Sequence, residues 1–125
     1  LKFIKGSHID QKLKSHNVNN NKNLTLNQEL ASEEFNEKDA VDLILKRGQI
    51  SLHDVYLVHG SEANNSSKAR RAITMRFMPT TSIFDHQLVK DKKLFSKLNA
   101  NKYSDRKIYH MRGKDISGKN NLTYI

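Results

Sequence analysis

The chain has 125 residues, 36% of them apolar, a formal net charge of +9 and a mean hydropathy of −0.75; it holds one domain at most, with a lean core. It has no cysteine, which excludes disulfides and thiolate metal sites, so any transition metal must be held by His, Asp or Glu. No apolar run approaches the roughly 18 residues that span a bilayer and "LKFIKGS" is too short for a secretory signal, so a cytoplasmic protein with no membrane partner is expected.

Because the sequence opens on Leu1 rather than Met, it is read as part of a domain. "LKFI" predicts a short strand ended by Gly6, and "SHNVNNNKN" after it reads as polar loop. In "NQELASEEFNEKDA", helix formers and acidic residues around Leu30, Ala31 and Phe35 predict a short surface helix. "AVDLILKRGQISLHDVYLVHG" predicts strands, with Gly48 as a turn and Gly60 as a stop. A further strand, "RAITMRFMP", ends at Pro79, which has no N–H to donate to a ladder. "FDHQLVKDKKLFSKLN" spaces Leu88, Leu94, Phe95 and Leu98 as on a helix, and the tail from Asn99 is polar. Strands joined by loops with short peripheral helices predict a mainly β fold of jelly-roll type. Three or four strands do not close such a fold, so it is incomplete in this stretch and leaves sheet edges open to another chain.

The positive charge does not form a nucleic-acid footprint. Acidic residues collect at Glu29, Glu33, Glu34, Glu37, Asp39 and Asp42, and the basic excess from Lys90 to Lys119 forms no regular stripe. Tyr and Phe do not interleave with a basic run, so a base-stacking platform is lacking. No nucleic-acid partner is expected.

The chemistry concentrates in "DVYLVHGSEANNSSKARRA". On a regular strand His59 shares a face with Leu57, Val55 and His53. A histidine at a strand end has a fixed backbone and, when neutral, a lone pair for a metal. "GSEANNSSKA" has the composition of a hairpin loop, which would return "RRAITMRF" beside "VYLVH". On that returning strand Arg70, Ala72, Thr74 and Arg76 share one face, and Arg71, Ile73, Met75 and Phe77 the other. Small residues beside an arginine suit a face that leaves room for a ligand, and a guanidinium fork binds a carboxylate by two parallel bonds. The bland alternatives are a hydrogen-bonded histidine and a pair of solvated arginines.

"VYLVHGSEANNSSKARRAITMRFMPTT" resembles the C-terminal half of the phytanoyl-CoA dioxygenase family, non-haem iron oxygenases that use 2-oxoglutarate. "LKFIKGSH" is similar to the family's strand ending in a Pro-Gly-Ser-His type motif, with Lys5 in place of the proline. "DLILKRGQISLHD" resembles its penultimate strand region, and "MRGKDISGKNN" is a weaker likeness. The resemblance implies a double-stranded β-helix (cupin-like jelly roll), with residues 1–85 as the C-terminal part of that domain and 86–125 as its helical and polar extension. It makes His59 the distal Fe(II) ligand, and Arg70, eleven positions on, the receptor for the far carboxylate of 2-oxoglutarate, assisted by Ser61. Strand parity also selects Arg70 over Arg71. The implied reaction hydroxylates a small-molecule substrate with O₂ while 2-oxoglutarate is decarboxylated to succinate.

A facial triad also needs a His-x-Asp pair. Only His8 and Asp10, in "HID", have that spacing here, whereas alignment to the family assigns His8 to the Gly-Ser-His motif and places the pair upstream of Leu1. His53 and Asp54 are adjacent and would face opposite sides of a strand. His16, His86 and His110 read as surface residues. Two functions follow: an Fe(II)/2-oxoglutarate oxygenase, or a non-catalytic jelly-roll module that binds a ligand or partner without a complete iron site.

Overall fold

The computed structural model describes residues 1–22, 28–90 and 105–125. The chain forms two compact units, Leu1–Arg71 and Ala72–Ile125. Both are built from short strands with few helical residues, in keeping with a β-rich class.

The first unit is organised around β1, Lys2–Ile4, which is central in a three-stranded antiparallel sheet. On one side it pairs with β4, Ala40–Asp42, and on the other with β5, His59–Gly60. The register sets Phe3 opposite both Val41 and His59. Two further backbone bonds lengthen the ladder, Leu43 N–H to Leu1 O at 2.7 Å and Ile4 N–H to Val58 O at 3.0 Å. β1 ends where expected, because Gly6 turns the chain at φ +76°, a region that L side chains avoid.

A second, two-stranded antiparallel sheet pairs β2, His16–Val18, with β3, Gln28–Leu30. Both strands correct the sequence reading. The stretch read as polar loop supplies β2, and the helix expected around Leu30, Ala31 and Phe35 is replaced by β3 and two 3-10 turns, Ser32–Glu34 and Glu37–Asp39. The physical reason is a competing long-range partner: His16 pairs with Leu30, and Ala31 N–H donates to Ser15 O at 2.9 Å. The backbone groups that would close a helical turn are thereby used. Glu34 fastens the same crossing, accepting Ser15 N–H at 2.8 Å, a bond that holds its carboxyl below the ordinary carboxylate range. Asn36 likewise accepts Lys38 N–H through its side chain and favours a local turn over a continuous helix.

The strands expected through residues 40–60 shrink to β4 and β5. Between them lies a turn at Lys46–Gln49, with Gly48 at φ +84° as expected, and a second turn closed by Leu57 N–H to Asp54 O at 3.1 Å. Buried apolar residues among those described are Ala31 and Val58, at 1% and 8% exposure. So thin a core leaves hydrogen bonding and loop anchoring to hold the unit.

In the second unit, "RAITMRFMP" does not form a strand, and Ile73, Met75 and Phe77 are 87%, 70% and 70% exposed. Alternation alone does not make a strand: the backbone needs a ladder partner, and residues 72–78 make no backbone hydrogen bond with the described residues. Helix α1, His86–Lys90, begins where predicted because Asp85 caps it, its Oδ1 accepting the N–H groups of Gln87 and Leu88, both at 2.8 Å. Leu94, Phe95 and Leu98 lie outside the described residues. The tail read as polar contains a parallel pair, β6 (Ile108–His110) and β7 (Leu122–Tyr124), with His110 and Tyr124 opposite each other and their ring centroids 5.2 Å apart. A side-chain knot braces this unit. Asn120 accepts Phe84 N–H at 2.9 Å and donates to Ser82 O at 2.9 Å and Asp115 Oδ1 at 3.1 Å. Asp115 in turn accepts the Ser117 hydroxyl at 2.7 Å, which with the other donors lowers its carboxyl to about 2.

Candidate functional site

His59 is delivered by the β1–β5 pairing, and its approach is fixed one residue earlier. The Ser7 hydroxyl donates to Ile4 O and accepts Val58 N–H, each at 2.8 Å, while Val58 O accepts Ile4 N–H. Ser7 therefore ties the turn after β1 to the residue preceding His59, fifty-one positions away. Sequence reasoning gave Ser7 no role. Its place between Gly6 and His8 in "GSH" was visible, but the partner that gives it meaning was not.

The His59 ring is exposed, and its Nδ1 lies 2.6 Å from Leu57 O. A carbonyl only accepts, so Nδ1 carries the proton and the neutral ring keeps its lone pair on Nε2. This arrangement suits a metal ligand, whose second ring nitrogen is commonly oriented by such a bond. His53 also reaches His59, with ring centroids 5.0 Å apart and planes inclined at 56°. The two imidazoles meet as strand parity anticipated, although by a turn at residues 54–57 rather than by alternation along one strand.

Two cavities flank this element. One, of about 230 Å³, is lined by His59, His16 and Glu29 with apolar contributions from Leu30 and Val58. His16, read from sequence as a surface residue, is thereby a neighbour of the same space as His59, and its Nδ1 is likewise tied to a carbonyl, Lys14 O, at 2.7 Å. The signal that could have found it is the β2–β3 pairing, which local sequence does not reveal. The other cavity, of about 350 Å³, is lined by His8, His53 and Asp54 among others.

His8 and Asp10 lie in a run of turns rather than on a strand, with Ile9 N–H bonded to Gly6 O and Gln11 N–H to His8 O. The i, i+2 alternation that would aim both at one metal does not apply to such a backbone. Asp10 is engaged by Lys14 at 2.9 Å and by Lys12 N–H at 3.2 Å, and these bonds hold its carboxyl below the ordinary range. Ser61 and Arg70 are exposed and form no hydrogen bond or ion pair with the described residues. The expected hairpin beyond Gly60 is replaced by a local turn, in which Asn64 donates to Lys68 O at 2.7 Å and accepts the Ser66 hydroxyl at 2.8 Å.

Among the described residues no three His, Asp or Glu side chains come together as a metal site. The described residues therefore do not assemble a ligand set around His59. No helix among them is long and apolar enough to cross a membrane.

The sequence model of phytanoyl-CoA dioxygenase matches residues 1–72. That stretch contains His8, Asp10, His59, Ser61 and Arg70, and covers more than half of the chain. The protein belongs to the phytanoyl-CoA dioxygenase family, whose members are in general Fe(II)- and 2-oxoglutarate-dependent oxygenases. No curated protein and no solved structure matches the chain.

Proposed function

We propose that the chain is the C-terminal part of an Fe(II)/2-oxoglutarate-dependent oxygenase that hydroxylates a small molecule. The observation that carries this reading is the family match across residues 1–72, which takes in His59, Ser61 and Arg70 together. In this reading residues 1–85 belong to a double-stranded β-helix and 86–125 extend it.

The residues have separable tasks. His59 offers Nε2 to the metal, held in the right tautomer by Leu57 O. Arg70 presents a planar fork to the distal carboxylate of 2-oxoglutarate, and the Ser61 hydroxyl adds a further donor to it. The bound iron would supply the redox chemistry with O₂, while the protein orients cosubstrate and substrate. In this reading the His-x-Asp pair is supplied by sequence upstream of Leu1, as the resemblance implies, with His8 and Asp10 as the alternative; the bonds from Lys14 and Lys12 to Asp10 support the former.

Anaerobic Fe(II) titration with 2-oxoglutarate tests the proposal through the metal-to-ligand charge-transfer band. A form carrying the upstream sequence is expected to show the band and to lose it with His59→Ala. Binding of 2-oxoglutarate without metal, unaffected by His59→Ala, would instead support the non-catalytic ligand-binding module.

A further inference from the structure

The 350 Å³ cavity has a chemical character of its own. Its polar lining is Lys5, His8, His53 and Asp54, and Phe3, Leu52 and Leu57 give it an apolar wall. Lys5 is exposed and forms no ion pair among the described residues. The acidic residue of the wall, Asp54, is engaged through Oδ1 by Tyr56 N–H at 2.8 Å.

His8 adds the decisive detail. Its Nδ1 is buried and has no hydrogen-bond partner among the described residues. With Nδ1 enclosed, Nε2 is the ring's remaining polar atom for a ligand. Nε2 donates to an anion when it carries a ring proton. The Lys5 ammonium, unpaired among the described residues, and the His8 and His53 imidazoles outnumber the single carboxylate of Asp54 around this space, against three apolar side chains. A carboxylate accepts from both kinds of donor, and a short hydrocarbon body suits Phe3, Leu52 and Leu57.

We infer that the cavity bordered by Lys5, His8 and His53 binds a small organic carboxylate with a short apolar body. This goes beyond the oxygenase reading, because the pocket needs neither iron nor His59 as a ligand. Butyrate is a suitable probe and butyramide its neutral counterpart. The measurement is a titration of the full chain in the presence of EDTA, following the ring C–H resonances of His8 and His53 by NMR. Butyrate is expected to shift both resonances saturably in the millimolar range, whereas butyramide does not. Lys5→Gln, at an exposed position that tolerates the change, is expected to weaken butyrate about tenfold, the equivalent of one charge-assisted hydrogen bond. Ring nitrogen shifts should place the His8 proton on Nε2 in the butyrate complex. Equal shifts with butyrate and butyramide, a linear response without saturation, or butyrate affinity unchanged in Lys5→Gln would overturn the inference. Since iron is absent throughout, none of these results depends on the oxygenase proposal.

Discussion

Replacing Ser7 with alanine should loosen the element that carries His59, by an amount the structure allows to be estimated. The hydroxyl joins Ile4 O to Val58 N–H with two 2.8 Å bonds, and Val58 is only 8% exposed. Alanine leaves the Val58 N–H without its acceptor, and an unsatisfied donor in such a place costs about 1–3 kcal/mol. In a unit with so small an apolar core, that is a large share of the stability available. Native-state hydrogen exchange at the Val58 amide reads the effect at the site of damage. Where exchange proceeds through local opening, the same energy corresponds to about a 5- to 150-fold loss of protection. Ser7→Thr keeps the hydroxyl and should retain most of it. Unchanged protection at Val58 in Ser7→Ala, or equal losses in the alanine and threonine variants, would refute the role assigned to Ser7.

Other outcomes follow from the same structure. Val58→Ala removes two methyl-sized groups from one of the few buried apolar side chains, and denaturant unfolding should show a loss of about 1.5 kcal/mol. Asn120→Ala breaks the bonds to Ser82, Phe84 and Asp115, and is expected to increase amide exchange at Phe84, whereas Asn121→Ala should not. Asp115 has its folded value lowered from 3.8 to about 2, so its contribution is fully present above the unfolded value and is lost as pH falls through the folded one. Stability of the second unit should therefore decline between about pH 4 and pH 2, and Asp115→Asn should flatten that slope in an acid titration followed by circular dichroism.

What the sequence disclosed and what it hid divide by the range of the interaction responsible. Local devices were legible: Gly6 and Gly48 adopt the positive φ their turns require, and α1 falls in the stretch whose apolar spacing is helical. The family was legible as well, through the run from His59, Gly60 and Ser61 to Arg70, which falls within the matched residues 1–72. Pairing partners were not. Leu30 and Ala31 look helical until Ser15 and His16 occupy their backbone groups. Ile73, Met75 and Phe77 alternate as a strand should, yet the described residues offer their backbone no partner. The encounter of His53 with His59 was anticipated from parity and arises instead from the turn closed by Leu57 and Asp54. Ser7 was missed, and the place of the exposed His16 beside the His59 element was not visible, for a common reason: each arises only through a contact distant in sequence.

The proposed role of His59 as an iron ligand in a 2-oxoglutarate site is decided by an anaerobic Fe(II) titration with 2-oxoglutarate. The account predicts a metal-to-ligand charge-transfer band in a form that includes the upstream sequence, abolished by His59→Ala and untouched by Asp10→Ala. A band that survives His59→Ala would contradict it, and a band lost in Asp10→Ala would return the His8–Asp10 pair to the iron.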